Sequence, residues 1–450
     1  MTGILRIEAR RNALLLLLPV SALLLWFSIN HQFGSLALWT ARSAAVQSSL
    51  QGLAPFVVGA AAWTASRDER RQLSDLLAST PRDPWQRTML TAASTCGWAL
   101  AAYLAATAVV FSLTAANATW GHPAWWPVAA GAAAIVGGTA VGHAAGRLVP
   151  SRFTAPLAAL AVYALMTGTM EAALHRAPLG MLSPIYDSTG LNASVFYRTT
   201  PDLAVLQICV YLGLAVIGIG LSARPRLQHL AERRGPVIVT AVGLGLTTVA
   251  VAVAATARVT DPTASLAWFG TSATDSPVAY RPACSDQTPV RVCVHPAYTD
   301  ELATVSTVVN QIAAPLAGLP GTPTATVQVA DATAPRIEPG DPALLTLPDL
   351  VIHGLDAPAD DAAGFRTRLA LALVSAPGTT PAGSTPAQRA LALSLLLRAH
   401  TSAVDMLTSG AGVTQAADEL ASLEPRQLTA WLSTHLAALR AGSLPLTDVP

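Results

Sequence analysis

The sequence predicts an α-helical polytopic membrane protein of about seven spans, N-terminus inside, followed by a small α+β extracytoplasmic domain. Three observations carry that fold class. Hydrophobic residues make up 52% of the 450 and charged residues only 12%, with a mean hydropathy of +0.46, whereas soluble domains are about 25% charged. Apolar runs of the length a bilayer needs, roughly 20 residues, recur through the first half of the chain. Beyond residue 256 the runs shorten, Pro, Thr, Gly and Asp increase, and ten arginines face seventeen acidic residues.

Hydropathy places the spans at Ala13–Ile29, Val46–Ala65, Met89–Thr114, Trp126–Ala145, Ala155–Met170, Leu203–Ser222 and Pro236–Ala255, the fifth extending as far as Ala173 if read generously. The first follows Arg6, Arg10 and Arg11, like the charged start of a signal peptide. No A-x-A cleavage pattern follows Ile29, so it is read as a retained helix. Arginine placement sets the orientation. Arg67, Arg70, Arg71, Arg82, Arg87, Arg147, Arg152, Arg224, Arg226, Arg233 and Arg234 fall in loops on the same side as the N-terminus, against only Arg42, Arg176 and Arg198 opposite. The positive-inside rule then makes the N-terminus cytoplasmic, and an odd number of spans puts the tail outside a cell membrane. Trp120, Trp125 and Trp126 sit where the outer aromatic belt belongs.

All 27 basic residues are arginine. GC-rich coding accounts for the bias, but its chemical consequence stands. A Walker A loop needs its Lys for phosphate, and a Schiff-base enzyme needs a Lys amine. ATP hydrolysis by the usual P-loop is therefore excluded from this polypeptide, and no cofactor is expected on it. No span carries the Asp/Glu chain of an ion-driven pump, and no nucleic-acid partner is expected.

Within the spans, Gly138, Gly142 and Gly146 recur every fourth residue and line one helical face, suited to close helix packing or, as a sharper reading, to a sliding surface. His143 beside them is an intramembrane ionisable group without an acidic partner in the sequence nearby. Between the fifth and sixth spans, residues 171–202 are apolar for a loop, fitting either a re-entrant or interfacial piece or a packed external loop.

The segment "RDERRQLSDLLASTPRDPWQRT", Arg67–Thr88, concentrates charge in a chain that has little. Read as a helix over Arg67–Ala78, it places Leu73, Leu76 and Leu77 on one face, and Pro81 stops it. Glu69, Arg70, Leu73, Leu76, Leu77, Thr80, Pro81 and Arg87 together resemble the cytoplasmic loop of type-2 ABC exporter permeases. In that family the loop belongs to the surface that receives motion from the ATPase, so the resemblance assigns coupling to Glu69, Arg70, Leu73, Leu76, Leu77 and Pro81. "ILRIEARRNALLLLLP" is similar to the amphipathic helix preceding the family's first span, and the apolar segment before the sixth span is similar in placement to its external re-entrant hairpin. Arg71 stands where the family has Gly, and a seventh span and large tail are additions to its six-span unit.

In the tail, "TPVRVCVHP" alternates Val290, Val292 and Val294 as a strand does, and "ATVQVA" reads as a second strand. "TDELATVSTVVNQIAAPLAGL" reads as a helix capped by Thr299 or Asp300. Thr385, Pro386 and Gln388 have capping-box spacing. The last helix carries Leu428, Trp431, Leu432, Leu436 and Leu439 on one face and stops at Gly442. An outside location allows Cys284 and Cys293 to form a disulfide. His295, His353, His400 and His435 have no metal-ligand spacing and no G-x-S-x-G elbow occurs, so no enzyme and no metal site is expected.

The resulting expectation is a six-span permease-like domain over 1–222, a cytoplasmic loop and seventh span over 223–256, and an extracytoplasmic domain over 257–450. It would be the permease subunit of an ATP-binding-cassette exporter, in the bilayer, partnered by an ABC ATPase and by a second copy or a second permease. The alternative is a non-transporting membrane-anchored sensor or binding protein that acts through its external domain.

Overall fold

A computed structural model describes residues 19, 22, 23, 26, 37–72, 84–174, 180–186, 195–198, 201–222, 234–256, 258–259, 266–267, 277–330, 336–338, 341–348, 359–376, 383–401, 405–408, 410 and 412–450. The chain is mostly helical and divides into two compact units. The first holds Met1–Phe33, Ala37–Ala193 and Tyr197–Pro277; the second holds Gly34–Leu36, Ser194–Phe196 and Val278–Pro450.

In the first unit the helices are α1 (Trp39–Ser48), α2 (Leu50–Ala65), α3 (Arg67–Arg70), α4 (Pro84–Asn117), α5 (Trp125–Leu148), α6 (Thr154–Leu174), α7 (Asp202–Ser222) and α8 (Arg234–Thr256). Five stretches among the described residues are long and apolar enough to cross a membrane: Gln86–Asn117, Trp125–Leu148, Thr154–Ala172, Asp202–Ser222 and Val237–Ala254. The expected first span lies almost wholly outside the described residues. The expected second span, Val46–Ala65, is divided between α1 and α2. Around the join, Ser48 and Ser49 turn their hydroxyls onto the carbonyls of Ala45 and Val46, and Pro55 inside α2 removes one ladder donor. What remains of α2 is 16 residues, about 24 Å of rise against a hydrocarbon core of about 30 Å.

Apolar side chains face outward as well as inward, which suits a lipid surround. Leu157, Leu160 and Leu165 on α6 are each more than 60% exposed, and α8 presents Ile238, Val242 and Val249 at 58–62%. Inside, Leu50, Leu53, Val57, Tyr103, Ile135, Leu206 and Val210 are buried together. Trp120, Trp125 and Trp126 are exposed around the start of α5.

Helix α5 packs on α2 with one face and on α7 with another. A Cβ on Gly142 would overlap the Val58 carbonyl oxygen, and one on Gly146 would overlap that of Ala62. The two backbones are thus in direct contact, with no room for a methyl group. Gly138, one turn earlier, meets only the Val58 Cγ2 at 3.3 Å. On the α7 side, Gly137 abuts the Tyr211 backbone. Helix α8 joins α7 where Gly243 approaches the backbone of Gly213 and Ile217, so the helix expected as a seventh span packs against α7. The unit ends with a two-stranded ladder, β1 (Arg258–Val259) and β2 (Leu266–Ala267).

The second unit is α+β. Strands β3 (Ala283–Cys284), β4 (Arg291–Val294), β5 (Ala325–Val329), β6 (Arg336–Glu338) and β7 (Asp341–Pro348) form one sheet in the order β3-β4-β5-β7-β6. The central pairs β4–β5 and β5–β7 are parallel, and the outer pairs are antiparallel. Val290, Val292 and Val294 are buried, as their alternation requires. Cys284 and Cys293 face each other across β3 and β4 and are joined by a disulfide. The helices are α9 (Leu302–Ala313), α10 (Ala359–Val374), α11 (Pro386–Arg398), α12 (Asp405–Thr408), α13 (Val413–Ser422) and α14 (Pro425–Arg440).

Local chemistry accounts for several of these boundaries. Thr385 and Gln388 form a reciprocal capping box at α11, and the Gln388 amide reaches on to the Leu439 carbonyl of α14. Gly442 at φ 72° takes the left-handed position that ends α14. Arg440 donates to the carbonyls of Leu373 and Pro320, closing the C-terminal end of α10. The start of α9 differs from the expected cap at Thr299 or Asp300. A 3-10 turn, Pro296–Glu301, precedes it, and the His295 ring accepts from the Ala297 N–H at 3.1 Å. Pro296 supplies the fixed φ of a first helical position, which moves the cap upstream.

His295 is fully buried among Tyr280, Phe196 and Tyr298, its ring 4.3 Å from that of Tyr280. Burial pushes its pKa down to about 4. Between pH 6.5 and 4 the unfolded chain therefore binds the extra proton. The stability this ring contributes is complete above pH 6.5 and falls away as pH drops towards 4. His295→Phe flattens that pH dependence, read as the denaturation midpoint of β4 peptides by hydrogen-exchange mass spectrometry. In the first unit, Gly146→Ala destabilises more than Gly138→Ala, by about 1–3 kcal/mol, because its methyl meets backbone instead of a side-chain tip. Thermal unfolding of the two variants in detergent checks the order.

Candidate functional site

The charged turn grows directly out of α2. The Ser66 hydroxyl donates to the carbonyls of Ala62 and Trp63, at 2.9 and 3.2 Å. Arg70 then folds back. Its Nε donates to the Ser66 hydroxyl at 3.2 Å, its Nη2 to the Trp63 carbonyl at 3.0 Å, and its guanidinium lies 3.7 Å from the Trp63 ring centroid. A helix C-terminus has carbonyls without intrahelical donors and a partial negative charge, so an arginine there is favoured twice. The indole face adds a cation–π contact. Arg67 and Asp68 form an ion pair at 3.4 Å.

The helix expected over Arg67–Ala78 stops at Arg70. Gln72 has φ 54°, a left-handed conformation that no helix interior accommodates. Arg71, which stands where the resembled family has Gly, is at φ −94° and ψ 3°. The left-handed position falls one residue later, at Gln72, so Arg71 itself meets no backbone conformation that demands glycine. Glu69 and Arg70 are thus placed on the short helix. Leu73, Leu76, Leu77 and Pro81 lie outside the described residues, and with them the leucine face.

A second constellation lies deeper in the same unit. Residues 180–186, within the segment read as re-entrant or as a packed loop, form a 3-10 turn, Gly180–Leu182, followed by bends. Gly180, Ser183, Ile185 and Tyr186 are buried. Irregular backbone away from water must find donors for its carbonyls. Here two side-chain amides provide them. Gln47 of α1 donates to the Tyr186 carbonyl at 2.7 Å and to the Gln207 Oε1 at 2.9 Å. Gln207 of α7 donates to the carbonyls of Ser183 and Tyr186, at 3.0 and 3.1 Å. The Tyr211 hydroxyl donates to the Leu182 carbonyl. Both glutamines have no exposed surface. The amide pair therefore ties three chain segments together through hydrogen bonds in an apolar surround, where leaving such groups unpaired is costly.

Sequence reasoning passed over Gln47, Gln207 and Tyr211. The available signal was an uncharged polar side chain inside an apolar run, the residue type that hydrogen-bonds across membrane helices.

Gly138, Gly142 and Gly146 stand on α5 against α2, as described above, with His143 buried among them in sequence. The tail histidines are not brought together as a ligand set. His295 sits in its aromatic cluster, His435 stacks on Trp431, and His353 is outside the described residues. Among the described residues no group of three His, Cys, Asp or Glu side chains could hold a metal ion.

Replacing Gln207 by Leu removes the donor to the buried Ser183 carbonyl, worth about 1–3 kcal/mol when left unpaired, and one of the two donors to the Tyr186 carbonyl, which keeps Gln47. The expected result is a lower melting temperature and lost hydrogen-exchange protection in peptides spanning 180–186, with α4 unaffected. Comparison of the chain with protein-family models, curated proteins and solved structures returns no match, so its geometry and its own residues are the basis of the functional reading.

Proposed function

We propose that this chain is the membrane permease subunit of an ATP-binding-cassette exporter, driven by a separate ATPase that docks on residues 67–87. The observation that carries the reading is the junction of α2 with the charged turn. Arg70 is clamped to Trp63 and Ser66 at the end of α2, and α2 is in backbone contact with α5 at Gly142 and Gly146. A force applied at the turn therefore has a stiff route into the helix bundle.

Other features support the same reading. Segment 180–186 occupies the place in the chain where the resembled family has its external hairpin. The absence of lysine from the whole sequence requires the usual P-loop chemistry to reside on another polypeptide. The Cys284–Cys293 disulfide fits an oxidising compartment, which supports an extracytoplasmic second unit and a multi-pass location in the cell membrane. A second copy of the chain or a second permease would complete the transporter.

A membrane-anchored sensor is the second reading, favoured by the separate core and disulfide of the second unit. It requires α8 and the second unit alone to retain function. The exporter reading requires co-purification with an ABC ATPase. Changing Leu73, Leu76 and Leu77 together to Gln lowers ATPase recovery at least about tenfold, since a docking face concentrates its energy in few residues. Full recovery with full transport-coupled ATPase activity would remove the assignment of this surface.

A further inference from the structure

Phe196 belongs to the second unit, although the chain on both sides of its short segment lies in the first. The residue is 6% exposed. Its ring meets those of Tyr280 and His295 edge-on, at centroid distances of 5.4 and 5.0 Å. Its carbonyl accepts from the Val278 N–H at 2.8 Å, and the next residue, Tyr197, pairs with Pro277 as an isolated antiparallel bridge. These partners are far apart in sequence. Bringing them together costs chain entropy, which a buried ring and a backbone pair must outweigh.

The second unit is therefore tied to the helices of the first at two places in the chain. Val278 follows the last residue of α8, Thr256, by 22 positions, whereas Phe196 precedes the first residue of α7, Asp202, by only 6. At about 3.5 Å per extended residue, the connection to α8 can span about 75 Å and the connection to α7 only about 20 Å. The shorter tether thus runs to α7, not to the helix that leads into the unit in sequence. Helix α7 is also the one whose Gln207 and Tyr211 hold the carbonyls of segment 180–186.

We propose that residues 195–197 are a strap, seated by the Phe196 ring, through which the second unit acts on the start of α7. A load on the second unit then reaches α7, and the turn that α7 holds, through six residues of chain. The same load arriving through α8 has a longer and slacker connection to take up first. The strap goes beyond the docking reading, and it serves an exporter or a sensor alike.

The test uses the full chain in lipid nanodiscs, read by hydrogen-exchange mass spectrometry. Phe196→Ala removes the ring from its seat. Exchange should rise at least about tenfold in peptides containing Val278, as expected for loss of a buried aromatic ring. It should rise at least about threefold over Val205–Gln207 at the start of α7, while β5 and β7 stay within about twofold of the parent. Phe196→Leu, which refills the seat, should stay within about threefold of the parent at Val278. Deprotection at Val278 with no change over Val205–Gln207 would mean that the segment only fills the second unit, and overturns the strap. No change at either place overturns it as well. Should β5 and β7 deprotect with Phe196→Ala, Val278→Pro removes only the N–H donated to the Phe196 carbonyl. It carries the same expectation over Val205–Gln207, and an unchanged rate there overturns the proposal.

Discussion

Backbone contact between α2 and α5 is the constraint on which the first unit depends. It requires two residues without side chains, Gly142 and Gly146, at successive turns of one helix, and it brings the carbonyl ridge of α2 against them. Helix α2 carries no charged residue, and its Leu50, Leu53 and Val57 side chains are buried in the apolar core of the unit. The charged turn beyond it inherits that position through Ser66 and Arg70. The proposed docking surface is therefore located by a contact made some distance from it along α2, and the opposite face of α5 transfers the same position to α7 through Gly137.

A second constraint concerns backbone that is neither helix nor strand. Carbonyls at the ends of helices and in bends need donors, and this chain supplies them from a narrow repertoire. In the apolar unit the donors are uncharged amides and a phenol: Gln47, Gln207 and Tyr211. Where water is nearer, they are guanidinium groups. Arg70 closes α2, Arg440 closes α10, and Arg398 donates to the carbonyls of Leu420 and Leu423 at the end of α13. Arginine carries five N–H donors in a rigid fork and so serves two carbonyls at once, as a lysine does less well. In a chain without lysine every basic side chain has this property.

Features whose cause is local were legible in the sequence. The alternation of Val290, Val292 and Val294 is a strand because its period is two. The Thr385–Gln388 spacing is a capping box because the bonds close within one turn. The four-residue spacing of Gly138, Gly142 and Gly146 puts them on one face whatever surrounds the helix. Features with a distant cause were not legible. Gln47 and Gln207 are separated by 160 positions, and neither marks itself as half of a pair. Strand β7 was missed because its partner β5 supplies the burial that its own pattern does not announce. The break at Gln72 opposes a leucine periodicity that continues past it, and the division of the expected second span at Ser49 falls inside an apolar run that a hydropathy window averages over.

Within this account the charged turn is more than a determinant of orientation. Arginines alone would orient the chain. The clamp of Arg70 on Trp63, the ion pair of Arg67 with Asp68 and the abrupt stop at Gln72 give the turn a defined shape at the end of a tightly packed helix, which is what a docking partner needs. The most direct test is a photo-activated cross-linker placed at Glu69 in membranes that contain the candidate ATPase. The proposed function predicts a cross-link to that ATPase which disappears when the ATPase is absent. Cross-links confined to lipid or to the chain itself, with the ATPase present and active, would contradict it.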